Sequence, residues 1–447
     1  MACEQVTLQD VCELIVDCPH TSTKDEGVGY PLIRTPNVGR GRLILTDVHR
    51  VSQDVYERRV SRAVPRQGDL ILAREAPAGN VAIVPPGIEV CLGQRTMLLR
   101  PDSSFVVPEY LNYYLNAPEQ RDRMLRLANG ATVSHINVAD IRNMPVQLPS
   151  RGEQSKVAEL LNVLDDKIDL NNRLNDYLEQ LVDGKFQELF GGLNFNATLS
   201  DVAEITMGQS PAGSSYNEEG AGIIFYQGRG EFGWRFPKRR LYTTEPKRLA
   251  CEGDVLMSVR APVGDLNVAF ENCCIGRGLA AIHSETPSFA LYLMRFLKPQ
   301  LEAYNGEGTV FGSINGKALK SLEVALPSHN EVMQFESFAA PIDALIRSNE
   351  NETRKLNNLR NYLLPKLMSG EIDVSKVDLT QLTNNHLLVR GHNVPNRYWK
   401  EHLWKPLLIT FCRRCRTCLI RHSSNIWPKC SESHCCQFRK HQCRRIC

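Results

Sequence analysis

The chain has 447 residues, 42% apolar and 23% charged, with a formal net charge of +3. These near-average values exclude wholesale disorder, collagen and a coiled-coil fibre, and the length suits two to four domains. No stretch reaches the roughly 18 unbroken apolar residues of a membrane helix, and the opening Met1-Ala-Cys-Glu-Gln-Val-Thr-Leu-Gln-Asp10 carries acids without a basic run, so the expectation is a soluble cytoplasmic protein without a signal peptide.

In chain order, Thr7-Leu-Gln-Asp-Val11 comes first, then a Pro/Gly-rich loop, Arg34-Thr-Pro-Asn-Val-Gly-Arg-Gly-Arg42. Short β-like runs follow at 69–73, 81–84 and 97–99, bounded by Pro and Gly. A helix is expected over 108–117, then a Gly-rich loop, Ile136-Asn137 and a strand ending at Leu148-Pro149. A long amphipathic helix is expected over 153–190, with Val157, Leu160, Leu161, Leu164, Ile168, Asn171, Leu174, Leu178 and Leu181 on one stripe.

The same order then recurs, which is the most informative feature of the chain. Thr198-Leu-Ser-Asp-Val202 repeats the first motif. Gly68-Asp-Leu-Ile-Leu72 returns as Gly253-Asp-Val-Leu-Met257, Ala76-Pro-Ala-Gly79 as Ala261-Pro-Val-Gly264, and Cys91-Leu-Gly93 as Cys274-Ile-Gly276. β-like runs at 254–259, 266–270 and 279–282 precede a helix expected over 288–304, then Ile314-Asn315 and Leu326-Pro327. The second long helix, over 331–368, carries Phe335, Phe338, Ala339, Ile342, Ile346, Asn349, Leu356, Leu359 and Leu363. Asn171 and Asn349 fall at matched places; a buried Asn in a helix seam fixes register at some cost in stability. The seam should comprise Leu164, Ile168, Asn171 and Leu178 against Ile342, Ile346, Asn349 and Leu356. The expected fold is therefore α+β: two tandem globules, each followed by a long helix, with the helices packed antiparallel and a globule at each end.

This pattern resembles the specificity subunit of type I restriction–modification systems over about residues 5–372. The resemblance rests on Asp17-Cys-Pro-His-Thr-Ser22, the Gly-Asp-aliphatic runs, and Gly130-Ala-Thr-Val-Ser-His-Ile-Asn137 with Gly308-Thr-Val-Phe-Gly-Ser-Ile-Asn315. It also rests on the two Leu-Pro-helix junctions and on Asn361-Tyr-Leu-Leu-Pro-Lys-Leu-Met-Ser-Gly-Glu-Ile372. It implies two target-recognition domains (1–150 and 193–328), each reading half of a split double-stranded DNA target. Two helical spacers (151–192 and 329–372) would form an antiparallel coiled coil that docks two methyltransferase subunits. Motor-nuclease subunits would join for restriction. S-adenosylmethionine, ATP and Mg would sit on those partners, and none on this chain.

The residues themselves agree with a non-catalytic role. No Asn-Pro-Pro-aromatic or Asp-Pro-Pro-aromatic run and no Gly-x4-Gly-Lys-Ser/Thr loop is present. Gly39-x-Gly41 and Gly228-x-Gly230 read as tight turns, and Asp165-Asp166 as a solvated helix face. No His/Cys/Asp cluster in residues 1–375 has metal-ligand spacing. A single-chain enzyme with its own specificity domain is thereby disfavoured. A decayed subunit that docks methyltransferase without reading DNA stays open.

DNA contact needs cations for phosphates and forked donors for base edges. Arg34, Asn37, Arg40 and Arg42 supply these in the first copy. In the second, Gln227-Gly-Arg-Gly-Glu-Phe-Gly-Trp-Arg-Phe-Pro-Lys-Arg-Arg240 offers Gln227, Arg229, Trp234, Arg235, Lys238, Arg239 and Arg240. Arg74, Arg95, Arg260 and Arg277 flank the repeated Ala-Pro-x-Gly and Leu/Ile-Gly motifs. His135, aligned with Ser313, reads as a surface polar residue.

The last stretch (373–447) is different in kind. Residues 376–447 hold 14 Lys+Arg against 3 Asp+Glu, a charge of +11, which leaves −8 for residues 1–375. Eight of the 15 cysteines crowd into the last 36 residues. The body therefore needs a local basic patch, not a global field, to meet DNA. Three readings fit the tail: an adventitious extension, a zinc module or a nonspecific basic arm.

Overall fold

The computed structural model describes residues 4–19, 21–75, 77–128, 135–305 and 312–374. Readings of the tail beyond Val374, and of the Gly-rich loops at 130–134 and 308–311, lie outside the described residues.

Each copy folds as a two-sheet globule. In the first, a five-stranded sheet runs in the order Cys12–Asp17, Thr96–Pro101, Leu70–Ala73, Val81–Ile83, Gly41–Arg42. In the second, a four-stranded sheet runs Glu204–Met207, Leu279–His283, Val255–Ser258, Leu266–Val268. The first four strands of each order correspond. The register corresponds too: Leu70 faces Leu99, as Val255 faces Ile282. These strands are hydrophobic at consecutive positions because both faces are covered; Leu70, Ile71, Leu72 and Ala73 are all fully buried. A second sheet, three-stranded in the first copy and five-stranded in the second, holds Tyr30–Ile33 parallel to Cys91–Leu92 and Ile223–Tyr226 parallel to Cys273–Ile275. The Leu-Pro strands close each globule by pairing with its opening: Glu4–Thr7 with Pro145–Leu148, and Ala197–Thr198 with Glu323–Val324.

The helix expected over 108–117 is Pro108–Asn116. Its counterpart, expected over 288–304, is interrupted: Pro287–Phe296 ends, and Lys298–Glu302 begins anew. Pro299 has no N–H to donate to the preceding turn, and it sits in the first turn of the new helix, where that donor is not needed.

Both long helices start at a Ser-x-x-Glu capping box. Ser150 and Ser328 accept from the N–H groups of Glu153 and Glu331, and those carboxylates accept from the serines in return. Reciprocal bonding satisfies two otherwise orphan donors and fixes the start. The helices span Arg151–Phe190 and His329–Met368, 40 residues each, or roughly 60 Å at 1.5 Å per residue.

Their contacts run in opposite order. Asp165 meets Arg360 at 2.7 Å, Asn171 meets Glu352 at 2.8 Å, and Asn175 meets Asn349 at 2.8 Å. As one number rises the other falls, so the helices are antiparallel. The expected seam residues are all buried or half-buried, but the stripe drifts past Asn171. Leu174 and Leu181 are 38% and 39% exposed, whereas Asn175 and Val182 are buried. Spacings of 3, 4 and 7 favour a 3.5-residue period; the buried positions 157, 161, 164, 168, 171, 175, 182, 186 and 190 follow one nearer 3.67. Phe338 and Leu359 on the second helix likewise face outward.

Each globule's core is completed by one start and one end of the helix pair. Val157, Leu160 and Leu161 join Leu367 in the first core. Val182, Phe186 and Phe190 join Val332, Phe335 and Ala339 in the second. Phe186 touches Phe289 and Phe335 with ring centroids 5.7 and 5.3 Å apart. A long helix thus belongs to both globules.

Candidate nucleic-acid interface

The two basic loops are held by their own residues and by the helices. In the first copy Asn37 is 5% exposed. Its side chain accepts from the Arg34 N–H at 3.2 Å and donates to the Ile44 carbonyl at 3.1 Å, pinning the turn. With both ends of its amide engaged, Asn37 shapes the loop and is not placed to read a base. Arg42 is tied to Asp166 at 2.7 Å and to Asp169, so Asp166 is a docking group for the globule and not an idle solvated face. Burial pushes the Asp169 carboxyl up, outweighing the opposing attraction of Arg42. Arg34 is half-buried and Arg40 exposed.

In the second copy Arg235 is 4% exposed. Its guanidinium bonds Glu179 of the first long helix at 3.0 Å, Asp343 of the second, and the Tyr292 hydroxyl. Burial pushes the Tyr292 hydroxyl far above its ordinary value. Arg235 was expected to face DNA; it is instead an internal strap joining the loop to both helices, because two carboxylates converge on it from below. Trp234 next to it stays 43% exposed.

The remaining candidates divide by partner. Arg40, Lys238, Arg260 and Arg277 are exposed, and no ion pair holds them among the described residues. Gln227 is exposed as well. Arg95 pairs with Glu75, Arg229 with Asp265, Arg239 with Glu271, and Arg240 with Glu231 and Glu218. These arginines are about half exposed, so their pairs with Glu75, Asp265, Glu271 and Glu218 are of little net strength; Glu231 is 7% exposed and is neutralised by Arg240 at 2.8 Å. Arg74 is more deeply set: it bonds Asp17 at 2.7 Å and the Ile136 carbonyl at 2.9 Å, tying the repeated Ile-Asn segment to the sheet. His135 is half-buried.

Sequence reading missed a second basic feature. Arg347 and Arg354 on the second long helix lie over the Phe270 ring at 4.5 and 4.7 Å, and Arg239 lies at 5.9 Å. Three guanidiniums around one ring form a local positive patch where loop meets helix. A seven-residue spacing of Arg along the helix was the available signal. The structure also assembles Cys251, Asp254 and His283, whose ligand-type atoms all lie within 4.8 Å of one another. Spacing along the sequence does not reveal this cluster, because His283 arrives from a strand 29 residues beyond Asp254. No helix among the described residues is long and apolar enough to cross a membrane.

Comparison with known proteins gives a consistent result. The family profile described as "Type I restriction modification DNA specificity domain" matches residues 2–180 and again 196–361. A putative type I restriction enzyme MjaX specificity subunit of Methanocaldococcus jannaschii is 31% identical over 396 residues, covering 82% of this chain and 93% of that protein. The type I restriction enzyme MjaIX specificity subunit of the same organism is 22% identical over 374 residues, covering 74% and 84%. A crystal structure of a type I restriction–modification S subunit from M. genitalium superposes with a TM-score of 0.55 at 15% identity, over 82% of this chain and 96% of that one; it shows the fold alone.

Proposed function

From the premise that this chain belongs to the type I restriction–modification DNA specificity family, and so serves DNA sequence recognition in such a system, we propose that each globule reads one half of a split double-stranded target. The observation that carries this is the duplication itself. Two equivalent scaffolds present non-equivalent surface groups: Arg40 and Arg95 on one, Gln227, Arg229, Trp234, Lys238, Arg239, Arg240, Arg260 and Arg277 on the other. Equal scaffolds with unequal readers suit two different half-sites.

The long helices serve as an antiparallel coiled-coil spacer, and their outward apolar residues, Leu174, Leu181, Phe338 and Leu359, serve as docking contacts for two methyltransferase subunits, with motor-nuclease subunits joining the assembly. The chain itself is not an enzyme: it supplies recognition and geometry. S-adenosylmethionine, ATP and Mg belong to the partner subunits. The working compartment is the cytoplasm. Paired arginines such as Arg229 exchange a carboxylate for a phosphate on binding, so they add less to affinity than Lys238, which no ion pair holds among the described residues.

A footprint of the complex with its methyltransferase partner tests this reading. Two protected blocks separated by an unprotected gap are expected. Stable assembly with the partner but no footprint on any DNA would contradict it and would support the docking-only role.

A further inference from the structure

The two globules share one internal device whose residues differ in kind. In the first, Asp69 is buried at the start of strand Leu70–Ala73. It accepts from the Arg66 N–H at 2.9 Å, and Arg100 grips it with two bonds of 2.9 and 2.8 Å. A permanent cation thus neutralises a buried carboxylate in forked geometry. In the second, Asp254 is buried at the matched position and accepts from the Cys251 N–H at 2.7 Å. Strand register places His283 where Arg100 stands, and Cys251 where Arg66 stands. Nδ1 of His283 lies 2.6 Å from Oδ1 of Asp254.

Both changes replace an arginine by a donor that binds transition metals. Among the described residues no Lys or Arg is paired with Asp254, and Glu204 and Glu285 add negative potential around His283. The second copy therefore has the carboxylate without the fixed charge, and carries instead a thiol, a carboxylate and an imidazole within 4.8 Å.

We propose that Cys251, Asp254 and His283 form a binding site for a divalent transition metal of the zinc class, which replaces in the second globule the arginine clamp of the first. Thiolate, imidazole and carboxylate are the three donor types of protein zinc sites, at about 2.0–2.3 Å from the ion. On binding, the Cys251 thiol gives its proton to solvent. His283 ligates through Nδ1 and carries its proton on Nε2. The ion takes the place of the present His283–Asp254 hydrogen bond, and water fills the fourth position. Cys251 and His283 are exposed, so both can move by the ångström this requires. The site lies at the end of strands Val255–Ser258 and Leu279–His283 away from Arg260 and Arg277. The adjoining Glu252 bonds Arg347 of the second long helix at 2.6 Å. Its role is to fasten the globule's sheet beside that helix.

The test uses the full chain, prepared reduced and metal-free. Zn2+ and Co2+ stoichiometry are measured against a chromophoric chelator for the wild type, C251S, H283A and the double variant Cys251→Arg/His283→Arg. Cysteines outside the site contribute equally to all four proteins, so the difference isolates the site. The wild type should bind one more equivalent than each variant, with a sulfur-to-cobalt absorption band that weakens in C251S. Zn2+ should raise the thermal midpoint of the wild type. The double-Arg variant, which rebuilds the first copy's clamp, should keep that midpoint in chelator. Equal stoichiometry and equal band intensity in the wild type and C251S would overturn the proposal. So would an extra equivalent that survives H283A.

Discussion

At the scale of single residues, Arg235 and Lys238 look alike in the sequence and do different work. Arg235 is enclosed by Glu179, Asp343 and Tyr292, so Arg235→Ala strands two carboxylates in a poorly solvated place. Removing one partner from such a network costs about 3 kcal/mol or more, and a denaturant titration should show the midpoint fall with the slope unchanged. Lys238→Ala should change stability by less than about 0.5 kcal/mol. It should instead weaken DNA binding at low salt and reduce the salt slope by roughly 0.9. A salt series on the two variants separates them. Residue type marked both as cations; only the tertiary placement of Glu179 and Asp343 beneath one of them decides which is buried. Asn37 teaches the same lesson, since a forked donor suited to a base edge also suits a turn that needs its carbonyl and N–H closed.

At the scale of elements, the two long helices were legible almost to the residue. Their capping serines, apolar spacing and matched asparagines are all local signals. The face of the seam was less legible, because a stripe counted in steps of three and four cannot tell a 3.5 from a 3.67 period over so many turns. Leu174 and Leu181, on the expected stripe, are therefore exposed, while Asn175, which that stripe does not include, is buried. The Asn175–Asn349 pair gives a test. Asn349→Ala leaves the Asn175 carbonyl without its 2.8 Å donor and should cost about 1–3 kcal/mol. Replacing both by Leu removes donor and acceptor together and should recover most of that loss. Thermal unfolding of the single and double variants checks it. If the single and double variants are equally damaged, the pair is not a mutual hydrogen bond in a seam.

At the scale of the whole molecule, the repeat order was visible in the sequence because the Gly-Asp and Leu-Pro motifs survive in both copies. What could not be seen was that each globule's core borrows from both helices. That sharing bears on how the helices set distance. A four-residue insertion between Asp183 and Phe190 would pull Phe186 and Phe190 out of the second core. Placed instead between the exposed Asp176 and Tyr177, with a matching insertion between Ser348 and Asn349 at the facing level of the second helix, it keeps each core's two helix ends in register. It lengthens each helix by about 6 Å, one to two base-pair steps of B-DNA at about 3.4 Å each. The gap in the methylated target should grow accordingly, with both half-sites kept; an unchanged gap at full activity would show that the helices are not the ruler.

The central claim is that the two globules are independent readers. Its most direct test replaces residues 198–327, the second globule alone, by the corresponding segment of a relative, and maps methylated sites in cells that carry the methyltransferase partner. The account predicts a new target in which one half-site changes while the other half-site and the gap persist. A target altered in both halves, or in neither, with assembly intact, would contradict it.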